Sequence, residues 1–125
     1  MTRDNISVIR LRGILLVTVP PEPDDETVSS FQEKVLDVMA SNEPRGLVLD
    51  ISTVQTLDSF FARTLMETVQ MAALMGTPTV IAGMRPDVAI TATLLGLSFG
   101  KTLTARDMDS ASDLIVEKTA EDLSR

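Results

Sequence analysis

The sequence predicts an α/β domain built on a mixed sheet. Three observations carry that prediction. Two β-rich runs, residues 6–12 and 14–19, meet at Arg12-Gly13. Beyond them, short apolar runs alternate with segments of helical period, the pattern of a sheet with crossover helices. Of the 125 residues, 44% are hydrophobic, enough to bury a core without staples. With four Phe and neither Trp nor Tyr, that core must be aliphatic.

In chain order, residues 6–12 alternate roughly, with Ile6, Val8 and Leu11 apolar, then reach Gly13, and residues 14–19 are β-branched and apolar. The two runs read as a hairpin or bent strands. Pro20 to Pro23 end the second, since proline cannot donate to a ladder. Asp24 or Asp25 then caps a first helix whose apolar stripe is Val28, Phe31, Val35, Leu36 and Met39. Glu43-Pro44-Arg45-Gly46 breaks it, and residues 47–51 are apolar except for Asp50, as in a buried central strand. A second helix opens near Asp58-Ser59 and runs to Met75 before Gly76, with Phe61, Leu65, Val69 and Ala72 or Ala73 on its inner face. Residues 78–82 read as another short strand. Pro86 suits the first turn of a third helix, packed by Val88, Ala89, Ala92 and Leu95 and ended by Gly96. Residues 99–104 read as a weak edge strand. Asp109 or Ser110 caps a last helix carrying Ala111, Leu114 and Ile115, and the polar tail 118–125 is expected to fray. No repeat or linker divides the chain, so one domain is expected over 1–125, with its core at about 6–118.

Composition excludes several functions. The net charge of −7 opposes binding to nucleic acid and to anionic membrane, because phosphate binding is driven by Lys and Arg. There is no Cys and no His, which removes disulfides, thiol nucleophiles, the usual zinc sites and any Ser-His-Asp triad. Neither a dinucleotide fingerprint nor a P-loop occurs. Asp24-Asp25-Glu26 lacks further carboxylates at EF-hand spacing and reads as an acidic helix start. The apolar run Ile14-Leu15-Leu16-Val17 is too short for a signal peptide core or a membrane span. These features predict a soluble cytoplasmic protein with no metal and no cofactor.

The informative segment is Val48-Leu49-Asp50-Ile51-Ser52, then Leu57-Asp58-Ser59-Phe60-Phe61-Ala62-Arg63. A buried strand ends, a loop follows, and a helix opens at Asp58-Ser59. A helix N-terminus presents unpaired N–H groups and partial positive charge, so a hydroxyl there is suited to carry a phosphate. Either Asp58 or Ser59 equally suits the ordinary duty of N-cap.

This segment resembles the STAS domain, the fold of anti-sigma factor antagonists. Leu15-Leu16-Val17, Asp24-Asp25-Glu26-Thr27, Phe31-Gln32-Glu33, Leu74-Met75-Gly76 and Gly83-Met84-Arg85-Pro86-Asp87-Val88-Ala89-Ile90-Thr91 extend the likeness to small stressosome scaffold proteins, across about residues 6–118. The resemblance implies a mixed β-sheet with helices covering one side. It implies a non-enzymatic scaffold that assembles with larger sensory STAS paralogues, holds a switch serine/threonine kinase captive, and releases it on phosphorylation. The phosphoacceptor it implies is Ser59, flanked by Asp58 and Phe60 as partner-binding residues. Thr91, five residues beyond Pro86, is a secondary phosphoacceptor, weighed against an ordinary helical threonine. Classical free antagonists commonly carry a small-residue run after the acceptor; here Phe60-Phe61 follow, which favours the scaffold branch. Two other functions stand beside this one: a free anti-sigma factor antagonist controlled by its serine, and a small-ligand-binding α/β domain.

Overall fold

A computed structural model describes residues 6–96 and 102–123. Strands β1 (Ser7–Leu11), β2 (Ile14–Thr18), β3 (Gly46–Asp50), β4 (Thr79–Ala82) and β5 (Leu103–Ala105) form one sheet in the order β1-β2-β3-β4-β5. The helices are α1 (Asp25–Asn42), α2 (Ser59–Leu74), α3 (Pro86–Leu94) and α4 (Met108–Leu123).

β1 and β2 are antiparallel, with Ile9 opposite Leu16 and Leu11 opposite Ile14. The turn between them needs left-handed backbone at both Arg12 (φ 55°) and Gly13 (φ 79°), the demand of a two-residue hairpin. From β2 onward every neighbour is parallel. Each crossover steps the same way along the sheet, and right-handed crossovers of that kind place their helices on one face. α1, α2 and α3 accordingly bury Phe31, Val35, Phe61, Leu65, Val88 and Ala92 against Leu15, Val17, Leu47, Leu49 and Ile81.

The mixed sheet stands as expected, but helices do not cover one side alone. α4 lies on the opposite face, where Ala111 and Ile115 pack with Ile14, Leu16, Val48, Val80 and Ala82. Parallel strands bury both faces, and the consecutive apolar residues Leu47-Val48-Leu49 of β3 carried that signal. Gly46 makes the approach possible: a Cβ there would collide with the Ile115 side chain.

Other boundaries differ from the expectation in detail. Asp24 rather than Asp25 caps α1, its carboxylate accepting from Thr27 N–H at 2.8 Å. Asp107 caps α4, not Asp109 or Ser110; its carboxylate accepts from Ser110 N–H at 2.8 Å. That bond is the main cause holding the Asp107 carboxyl below its ordinary pKa, with the Ser110 hydroxyl and the nearby Arg106 charge adding to it. α4 continues through the polar tail to Leu123. Leu95, expected to pack α3, is exposed beyond the end of that helix. The last strand begins at Leu103, and the expected positions 99–101 lie outside the described residues. Among the described residues no helix is long and apolar enough to cross a membrane.

Candidate functional site

The parallel strands all end on one rim, and all four helices begin there. Open α/β sheets place their functional groups at this carboxyl edge. The segment between β3 and α2 forms the middle of the rim. It is pinned rather than loose. Ile51 N–H donates to Ala82 O at 3.0 Å, and Ser52 N–H donates to the Asp50 carboxylate at 2.9 Å. The Thr53 hydroxyl donates to Val19 O at 3.0 Å, and Gln55 N–H donates to Pro21 O at 3.0 Å. Val54 and Leu57 are buried in the core below. Gly83 (φ 77°) seats the β4–α3 turn directly on this loop: a Cβ on Gly83 would stand 2.7 Å from Ser52 Cβ.

The loop delivers the chain to α2 with Asp58 in extended backbone as the N-cap. The Asp58 carboxylate accepts from Phe61 N–H at 2.7 Å, and its carbonyl accepts from Ala62 N–H at 3.0 Å. The choice left open between Asp58 and Ser59 is therefore settled: Asp58 is the cap, and Ser59 is the first helical residue. Ser59 is exposed, and its hydroxyl has no capping duty. Because Asp58 satisfies the N–H of Phe61, the N–H groups of Ser59 and Phe60 remain at the helix mouth.

The two phenylalanines divide. Phe61 lies on the apolar stripe and is buried, whereas Phe60, one residue off it, is 39% exposed beside Ser59. A helical period of 3.6 makes that division legible from Phe61, Leu65 and Val69 alone. Arg63, one turn along α2, is also exposed. Asp58, Ser59 and Phe60 thus form one exposed patch. Below the surface, α2 is tied to α1 by Gln32, whose amide donates to the Thr68 hydroxyl at 3.2 Å. The loop pins at Pro21, Thr53, Gln55 and Gly83 were not read from the sequence, because each depends on a partner distant along the chain.

Thr91 stands apart. It lies a turn and a half into α3, half-buried, and its hydroxyl donates to Asp87 O at 3.0 Å. That is the back-bonding of an ordinary helical threonine. Arg85, at the N-cap position of α3, makes no side-chain cap bond and lies 3.7 Å from Asp87.

Comparisons with known proteins converge on this architecture. The family model described as STAS domain matches residues 5–111. The Bacillus subtilis protein RsbRD, an RsbT co-antagonist, is 30% identical over 99 residues, which cover 79% of this chain and 36% of that protein. The chain thus spans little more than a third of that relative's length. Among solved structures, RsbS of Moorella thermoacetica, in a serine-to-glutamate variant, superposes with a TM-score of 0.85 at 29% identity, covering 94% of this chain and 99% of that one. A chain from the molecular architecture of the stressosome, a signal integration and transduction hub, gives a TM-score of 0.80 at 31% identity, covering 90% and 97%.

Proposed function

The chain belongs to the STAS domain family, and from that membership we propose that it is a non-enzymatic signalling scaffold whose bound kinase is released by phosphorylation of Ser59. The observation that carries the reading is the division of labour at the mouth of α2. Asp58 holds the cap, which leaves the Ser59 hydroxyl exposed and unencumbered beside an exposed Phe60. With the cap supplied by Asp58, the Ser59 oxygen can be presented to another protein without loss of the bond that fastens the helix.

In this scheme a serine/threonine kinase docks over Asp58, Ser59 and Phe60. Phe60 supplies apolar contact, and the pinned loop 51–58 presents the acceptor without a large ordering cost. The kinase transfers a phosphoryl group from ATP to Ser59 Oγ; the hydroxyl proton leaves and ADP is released. The product carries about −1.5 to −2 charge at the helix mouth. The N–H groups of Ser59 and Phe60 and the helix dipole favour that charge, so the fold persists. Asp58 beside it and the net charge of −7 turn the new charge outward, against the docked kinase. The Bacillus subtilis relative is a co-antagonist of RsbT, and we take a protein of that class as the partner. The assembly proposed is one with sensory STAS paralogues, in the cytoplasm. Thr91, half-buried and bonded to its own helix, is a weaker acceptor than Ser59 in this scheme.

The test combines a kinase assay, mass-spectrometric site mapping and binding measurements on unmodified, phosphorylated and Ser59→Ala protein. Phosphate should map to Ser59, Ser59→Ala should retain the kinase, and the phosphorylated form should bind it at least tenfold more weakly, about 1.4 kcal/mol. Undiminished phosphorylation of Ser59→Ala, or equal binding of the phosphorylated form, defeats the proposal.

A further inference from the structure

We propose that Arg63 receives the phosphoryl group carried by Ser59, closing a guanidinium–phosphate bridge across one turn of α2. The bridge presupposes the reading of Ser59 as phosphoacceptor made above, and it gives the product a residue of this chain that holds it.

The exposed side of α2 is a stripe of Ser59, Arg63, Glu67 and Gln70, whereas Phe61, Leu65, Thr68 and Ala72 are buried. Ser59 and Arg63 are four residues apart on that stripe, a spacing that sets Cβ atoms about 5–6 Å from each other. Long helical side chains lean back toward the helix N-terminus, and from Arg63 that is the direction of Ser59.

Among the described residues Arg63 has no hydrogen bond and no ion pair. Glu67 stands at the same spacing on its other side and does not engage it. Order explains the difference: an acidic group N-terminal to a basic one makes the better pair, and Arg63 precedes Glu67. A phosphate on Ser59 would stand in the favoured order. The unmodified hydroxyl offers a guanidinium no charge. The phosphoserine offers about −1.5 to −2 and three strong acceptor oxygens, which suit the planar fork of arginine. The helix mouth alone favours any anion; Arg63 adds the directional group.

Before phosphorylation, Asp58, Ser59, Phe60 and Arg63 together hold one carboxylate and one guanidinium. Phe60 is exposed three residues before Arg63, so the guanidinium stands beside the apolar contact offered to a docked kinase. Phosphorylation then adds an anion and engages the cation in one step. The docked protein meets the phosphate and loses Arg63 as a donor.

The test uses the full chain with phosphoserine installed at position 59 during translation, which needs no kinase. Phosphorus NMR reads the second phosphate pKa, about 6 for ordinary phosphoserine. An opposite charge favours the dianion and lowers that value. Arg63→Gln should raise it by about 0.3 or more, roughly a twofold change in proton affinity. Arg63→Lys, which keeps the charge without the fork, should recover part of the difference. Lys118→Gln, at an exposed site on α4, should leave the value unchanged. Asp25 and Glu26 of α1, Asp58 and Glu67 of α2, and Arg85 and Asp87 of α3 are the same in all these proteins, so the comparison isolates position 63. Thermal unfolding gives a second readout. Arg63→Gln should lower the midpoint of the phosphorylated protein by about 1–2 °C and leave the unmodified protein within about 0.5 °C. A phosphate pKa indifferent to Arg63→Gln overturns the bridge, and so does one that Lys118→Gln raises equally. Arg63→Lys behaving as Arg63→Gln, or equal midpoint shifts in the two forms, overturns it too. Kinase treatment of the unmodified chain in parallel keeps the two readings apart. Phosphate mapped away from Ser59 defeats the kinase reading, whereas an unshifted pKa in protein phosphorylated at Ser59 defeats the bridge alone.

Discussion

Asp58→Ala and Ser59→Ala separate the fastening of α2 from the proposed phosphorylation, and the structure gives them different costs. Asp58 contributes a 2.7 Å charge-assisted bond to Phe61 N–H. Its loss leaves the first turn of α2 without a side-chain acceptor, at a cost typical of N-cap deletions, about 1 kcal/mol and within 0.5–2. For a domain of this size about 1 kcal/mol lowers the thermal midpoint by roughly 3–5 °C. Ser59→Ala removes an exposed hydroxyl with no cap bond and replaces serine by the best helix former, so its midpoint should move by less than about 1 °C. The assay is thermal unfolding followed by far-ultraviolet circular dichroism, since the chain has no Trp or Tyr for fluorescence. In the kinase assay the ranking should invert: Ser59→Ala abolishes phosphorylation, and Asp58→Ala reduces it only as far as the presentation of the helix mouth is loosened. Equal destabilisation by the two substitutions would refute the reasoning, because it would mean that Ser59 shares the cap.

Gly83→Ala tests the seating of the β4–α3 turn on the Ser52 loop: left-handed backbone and a Cβ 3.0 Å from Ser52 Cα together predict a loss of about 2–4 kcal/mol in denaturant unfolding, and a cost under about 1 kcal/mol would show that the loop yields freely. Asp107 tests the α4 cap by pH. Its folded pKa is depressed chiefly by the Ser110 N–H bond, so its contribution is present above the unfolded carboxylate pKa and fades as pH falls through the lower folded value. An amide titration followed at Ser110 should therefore report a midpoint below that of an ordinary Asp, and Asp107→Asn should abolish it; an ordinary midpoint would place the cap elsewhere.

The sequence by itself determined what depends on near neighbours. Apolar spacing located α1, α2 and α3 and separated Phe61 from Phe60. Pro20, Pro21 and Pro23 marked a strand end and Pro86 a helix start, and Gly76 and Gly96 marked helix ends. The segment Leu57-Asp58-Ser59, with the motifs around it, carried the family resemblance and, through it, the candidate acceptor. Only the tertiary structure decided matters that turn on partners distant along the chain. Which of two adjacent residues caps α2 depended on how loop 51–58 is pinned to Val19, Pro21 and Ala82. The choice of Asp107 over Asp109 or Ser110 depended on where β5 releases the chain. The placement of α4 depended on a second apolar face of β2, β3 and β4 needing cover, and on Gly46 leaving room for Ile115. Helical period and capping preference act over a few residues and are written in the local sequence. Burial is shared among segments far apart in the chain, and it acquires a value only when the fold brings them together.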